Sequence, residues 1–270
     1  MTRSGARLLT AARSVAIPVL VVAIWQLWAG NLAADSNVPV PSVVLEGALD
    51  LVRSGDLALA IWISIRRVLS GFLIALAVGV PLGLSMGMSP WLERNADPVV
   101  QTFRMIAPVA LVPLAIVWFG PRGTAAVFIV AYGALFPIVL NTIAGVKEVD
   151  RLLVKAARTM GLKGRQLLRT VLLPGALPSV YVGIRIAMGL AWGAIVAAEL
   201  TVGFKALPTA EGGARFGAGG GIGFMMFYLY DNSVSPDLIV VAIISVGVVA
   251  YLTDRLLRYI GRRAMPWARL

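Results

Sequence analysis

Apolar positions along this chain gather into long runs, not alternating stripes. Six runs, 14–33, 61–86, 98–119, 123–144, 179–202 and 237–257, reach the length of about 20 residues that a helix needs to span the hydrocarbon of a bilayer. Strands alternating between polar and apolar faces are absent, which predicts an all-α membrane protein with a six-helix transmembrane bundle and not a barrel. Between the fourth and fifth runs, over 145–178, the pattern changes. Val149, Leu152, Leu153, Ala156, Ala157 and Met160 fall at helical spacing, with Arg151, Lys155 and Arg158 on another face. Leu167, Leu168, Val171 and Leu172 repeat the pattern, with Pro174 and Pro178 expected to end it. The two short helices meet at Gly161 and Gly164, as a basic hairpin. A second amphipathic stretch, Val38 to Ala58, places Val43, Ala48, Leu51 and Val52 on one stripe, broken by Glu46, Asp50 and Arg53. With prolines at its start and Ser42 as a cap, it predicts a helix lying on the outer surface.

These elements divide the chain into an N-terminal segment and first span (1–36), an external interfacial helix (37–60), a core (61–260) and a basic tail (261–270). Within the core, Gly71, Gly79, Gly83 and Gly87 form a small-residue stripe that predicts a packing seam. The third run carries Gln101 and Arg104 near its inner end, is interrupted by Pro108 and Pro113, and closes on Trp118 and Phe119. Proline frees backbone carbonyls, which is tolerated where helices pack or line a cavity. Arg104 therefore has two readings, snorkelling to the headgroups or facing a pathway. The fourth run contains Tyr132, Pro137 and Asn141; the fifth contains Arg185, expected to snorkel, then Trp192 and Glu199. An acid inside an apolar run must be paired, hydrated or protonated.

Charge sharpens the topology. The chain has 24 Lys and Arg against 13 acids, and 16 of the cations fall in 1–13, 87–98, 145–178 and 255–270. The other side carries Asp35, Glu46, Asp50, Asp56, Glu211, Asp231 and Asp237. That distribution is positive-inside, so both termini and the hairpin are expected in the cytoplasm, and the basic balance is topological and not a nucleic-acid footprint. Residues 1–13, with Arg3, Arg7 and Arg13, lead into a run read as an uncleaved first span. The sequence contains no cysteine and no histidine, which removes disulfides, thiolate metal sites and imidazole bases. No GxxxxGK[ST] is present, so the chain has no P-loop of its own.

The hairpin also carries a resemblance. Lys155-Ala156-Ala157, three residues, Gly161, nine residues, Val171, one residue and Leu173-Pro174 resemble the EAA loop of ABC importer permeases in spacing. Two departures are Lys155 in place of the motif's Glu and Val171 in place of its Ile. The segment from Arg104 to Gly120, R-x-I-x-P through P-L-x-x-x-W-F-G, and the Ala198-Glu199 pair before a Gly-rich stretch are similar to permeases of the nitrate, sulfonate and taurine type. Those relatives usually have only a few residues where this chain inserts a Gly-rich segment over 204–220. The resemblance implies a type I ABC importer permease whose hairpin is the coupling helix. Lys155, Ala156, Ala157, Gly161, Leu173 and Pro174 would then form the coupling element. Gln101, Arg104, Trp118, Asn141, Trp192 and Glu199 would be the polar and aromatic candidates for the pathway.

It further implies a multi-pass subunit of the bacterial cytoplasmic membrane that carries a small anionic solute, with a neutral aromatic or pyrimidine-type nutrient as the alternative. The expected partners are a second, identical permease subunit, two cytoplasmic ATPases and an external binding protein. The chain itself would hold no cofactor or metal and no catalytic residue; ATP and magnesium would be bound by the ATPases. A proton-coupled carrier and a membrane enzyme are the competing classes. Co-purification of an ATPase carrying a Walker motif separates them from an importer subunit.

Overall fold

The computed structural model describes residues 3–31, 38–121, 123–203, 220–233 and 235–267, and all regular structure among them is helical. The insert at 204–219, Asp35 and the side chains of 3–15 lie outside the described residues. In chain order the helices are α1 (Arg3–Gly30), α2 (Pro41–Arg53), α3 (Asp56–Met88), α4 (Pro90–Arg104), α5 (Val112–Phe119), α6 (Gly123–Glu148), α7 (Arg151–Thr159), α8 (Gly164–Leu167), α9 (Leu173–Gly203), α10 (Ile222–Tyr228) and α11 (Pro236–Ala264).

Among the described residues four helices are long and apolar enough to cross a membrane: α3, α6, the continuous helical segment ending in α9, and α11. The expected third span is not one helix. Its two halves, α4 and the segment Pro108–Phe119 containing α5, meet at 85°, and together they would make a fifth, broken span. The break falls just before Pro108, whose missing N–H and ring keep α4 from running on; a short 3₁₀ turn, Pro108–Leu111, then leads into α5. The expected first span corresponds to α1, whose apolar part is Val19–Gly30.

Helix α6 is the centre of the bundle and packs along both α3 and α9. The glycine stripe of α3 is the seam. An added Cβ at Gly71 would meet Val130, at Gly79 Ile138, at Gly83 Thr142, and at Gly87 Val146. Both series advance in the same sense and with the same spacing, so α3 and α6 run parallel at backbone contact. Helix α9 runs antiparallel to α6: Gly145 abuts Ser179 and the Ala176 carbonyl, Gly183 abuts Asn141, and Gly133 faces Ala194. The main core lies in these interfaces, around Val68, Ile129, Val130, Ile138, Ala191 and Ile195.

Three expectations are corrected. Helix α2 buries Val44 and Leu51 beside Ile222, Met225 and Val241, while Val43 and Val52 of the expected stripe are exposed. Its N-cap is Val40 with no side-chain cap; Ser42 instead donates its N–H to Gln26 Oε1. Second, Pro174 and Pro178 do not end the hairpin's second helix, because a π-turn over Leu168–Leu172 leads straight into α9. There the Leu173 N–H bonds to the Leu168 carbonyl, a widened turn just before the residue that has no N–H to offer. Third, Arg185 does not simply snorkel. Its Nε donates to Asp254 Oδ1 at 2.9 Å, and Arg258 Nη2 reaches the other oxygen of the same carboxylate at 2.9 Å.

Candidate functional site

The break between α4 and α5 leaves a cavity of about 630 Å³ against α6 and α9. Its lining is mostly apolar, with Arg104, Tyr132 and Asn141 as polar groups and Phe136 beside them. Arg104 is the last residue of α4, where the negative end of the helix dipole favours a cation. The open end of α4 is held by Tyr132, whose hydroxyl donates to the Phe103 carbonyl across the cavity wall, beside the Ile106 N–H that bonds the same oxygen. Tyr132 in turn packs edge-on against Phe136, with ring centroids 5.0 Å apart. Pro137, inside α6, offers no N–H to the carbonyl of Gly133, and both residues line the cavity. Asn141 uses its Nδ2 on the Pro137 carbonyl at 2.8 Å, leaving its side-chain oxygen as an acceptor.

Of the six residues singled out as pathway candidates, the structure brings Arg104 and Asn141 together around this cavity. Gln101 faces back along α4 and donates to Asp97 Oδ1 at 3.1 Å. Trp118 is 60% exposed and meets Phe128 edge-on at 5.9 Å. Trp192, 3% exposed, is packed in the core and donates its indole N–H to Thr253 Oγ1 at 3.0 Å. Glu199, 2% exposed, lies in a separate knot: it accepts from Ser64 Oγ at 2.8 Å, Arg67 Nη1 at 2.8 Å and the Gly223 N–H at 3.0 Å. Ser64 Oγ accepts from the Ile222 N–H at 2.9 Å, so the same knot fixes the start of α10. Asp254, Ser64 and Thr253 were missed from sequence. Asp254 had a signal, as an acid within an apolar run that also needs a partner.

The hairpin is the second candidate element. Asp150 caps α7, accepting from the Leu152 N–H at 2.8 Å. At the other end Gly161 adopts φ +86°, the Leu162 N–H bonds the Ala157 carbonyl at 3.0 Å and the Gly161 N–H bonds the Arg158 carbonyl at 3.0 Å. This is a Schellman closure, which needs a left-handed residue at its turn. Val149, Ala157, Leu167 and Leu172 form a small core inside the hairpin. Ala157 is therefore a packing residue, whereas Lys155 and Ala156 face outward, and Leu173 and Pro174 are half-buried at the junction with α9. Leu152, Leu153 and Met160, which share the helical spacing of Ala157, are exposed, Leu152 at 71%. Helix α6 is tied to its neighbours just before the hairpin, Lys147 to Glu93 of α4 and Glu148 to Ser179 of α9.

The chain is similar to known proteins. A putative ABC transporter permease protein of Methanocaldococcus jannaschii is 36% identical over 95% of this chain and 92% of its own length. A putative aliphatic sulfonates transport permease protein of Bacillus subtilis is 32% identical over 94% of this chain and 87% of its own. In fold, the chain is similar to the solved structure of an amino acid ABC transporter with histidines, with a TM-score of 0.60, 18% identity, and coverage of 80% of this chain and 97% of that one. Residues 79–266, which carry the broken span, the cavity and the hairpin, match the family described as binding-protein-dependent transport system inner membrane component. The chain belongs to that family, as a permease subunit of an ABC importer with the type I permease fold.

Proposed function

We propose that this chain pairs with a second, identical copy to form the membrane pathway for a small anionic solute, of sulfonate or nitrate-like chemistry, delivered by an external binding protein. Two cytoplasmic ATPases, which bind the ATP and magnesium, dock on the hairpin 151–172, with both termini on the same side. Support for docking comes from the exposed apolar side chains Leu152, Leu153 and Met160 on a helix whose own packing face is already used by Ala157. Closure of the ATPase pair then acts on a rigid lever, because the hairpin continues through the π-turn into α9, which lines the cavity.

The observation that carries the anionic reading is Arg104, an obligate cation in the lining of the cavity left by the broken span. In a site of low dielectric a guanidinium attracts an oxyanion more strongly than in water, and Asn141 lies in the same wall. Similarity to an aliphatic sulfonate permease agrees with that chemistry. A second reading, a neutral aromatic or pyrimidine-type solute, draws on the Tyr132–Phe136 pair in the same cavity. Uptake in the reconstituted complex decides between them. Arg104→Gln is expected to reduce uptake of an anionic substrate at least tenfold, the scale of one lost charge-assisted contact, while assembly and basal ATPase activity persist. Uptake near wild type in both Arg104→Gln and Arg104→Lys would remove Arg104 from the pathway.

A further inference from the structure

At the end of the bundle opposite the hairpin, a second cavity of about 360 Å³ opens between α3 and the start of α6. Its polar lining is Arg66, Arg67, Ser70 and Thr124, with Gly123, the first residue of α6, at its edge; among the described residues no carboxylate lines it. The nearest acid on Arg67, Glu199, is already shared with Ser64 and the Gly223 N–H. Arg66 is exposed and, among the described residues, has no acidic partner. The guanidinium of Arg67 lies against the helix start, where a Cβ on Gly123 would come within 2.8 Å of its Nε. Two guanidinium groups and the positive end of a 26-residue helix thus converge on one opening. Ser70 donates to the Arg66 carbonyl at 2.7 Å, and Thr124 makes only a long 3.4 Å bond to the Phe119 carbonyl.

We propose that this cavity is an oxyanion site that takes a phosphate-type group, with Arg66 and the first N–H groups of α6 as its principal ligands. Helix N-termini and guanidinium forks both match the oxygens of such a group. The level of the site agrees with a phospholipid headgroup. Helix α3 has 33 residues, about 50 Å, against about 30 Å of hydrocarbon, so it extends past the apolar layer, and the long Arg66 side chain can reach headgroup level from near the helix start. Trp62, 58% exposed, lies one turn before Arg66, and the exposed Trp118 packs on Phe128 close to the start of α6. Indoles favour this interfacial depth. A free oxyanion shares the same chemistry, and the site stands independently of the transport reading.

The test uses the full chain purified in a neutral detergent. Phosphatidylglycerol is titrated and counted by native mass spectrometry, and inorganic phosphate is followed in parallel by equilibrium dialysis. Arg66→Ala is expected to weaken binding about tenfold and Arg66→Lys only a few-fold, in line with loss of a charge-assisted contact. Because Arg66 is exposed, an unchanged melting temperature verifies the fold of both variants. Loss in the lipid titration assigns the site to a headgroup; loss with inorganic phosphate alone assigns it to a free oxyanion. Wild-type protein that binds neither probe, or Arg66→Ala that binds both as wild type does, overturns the proposal.

Discussion

Arg67 and Glu199, 132 residues apart in the chain, meet at 2.8 Å inside the bundle, and the carboxylate of the pair is almost fully buried. The contact joins α3 to α9, and through Ser64 and two backbone N–H groups it also holds the start of α10. Three donors, the Ser64 hydroxyl, the Arg67 guanidinium and the Gly223 N–H, meet the buried acid, so the group acts as a fastening between three helices.

Breaking that fastening from one side leaves a buried group without its partner. Glu199→Ala is expected to destabilise the protein by about 3 kcal/mol, the scale for removal of one member of a buried pair. An Arg67→Met, Glu199→Leu double variant is expected to recover part of the loss, since neither charge then remains. Thermal unfolding in detergent measures both. Equal melting temperatures for Glu199→Ala and wild type would show that the pair contributes nothing.

The α3–α6 seam gives a steric prediction with an internal control. A Cβ at Gly83 would lie 2.6 Å from Thr142 Cβ and 2.8 Å from the Val139 carbonyl, whereas one at Gly247 meets nothing within 4 Å. Gly83→Ala is expected to cost about 1–3 kcal/mol through forced separation of the helices, and Gly247→Ala to be neutral or slightly stabilising. Melting temperatures of the two variants, compared side by side, check the contrast.

At Gly161 the issue is backbone conformation and not space. No atom stands within 4 Å of a Cβ there, but φ is +86°. A leucine pays a conformational penalty of order 1–3 kcal/mol and shifts the Schellman closure, so the orientation of α7 changes while the transmembrane core does not. The Gly161→Leu complex is expected to assemble with stimulated ATPase activity and uptake both reduced. Wild-type stimulation in that variant would contradict a coupling role for the hairpin.

Orientation is testable because the chain contains no cysteine. Lys163→Cys is expected to resist an impermeant thiol reagent added outside intact cells and to react in inverted vesicles. Labelling from outside would reverse the assignment drawn from the positive-inside distribution.

The broad architecture was legible in the chain. Apolar run length announced the long helices because a bilayer imposes its thickness on them. The α3 glycine stripe announced a seam because only small residues let two backbones touch. Gly161 marked the hairpin turn because a left-handed residue was needed there. What the sequence could not supply is how residues distant along it converge. Pro108 signals a break, but the 85° bend depends on how α5 packs against α6. Trp192 and Arg104 look alike as polar-capable residues inside apolar runs, yet one is spent on Thr253 in the core and the other lines the cavity. Leu152, Leu153 and Met160 share the helical spacing of Ala157, but only the fold of α7 against the π-turn chose which of them is buried. Periodicity reports that a helix has an apolar face; which part of that face is covered is set by neighbours brought together in space, and those contacts carry no local signature.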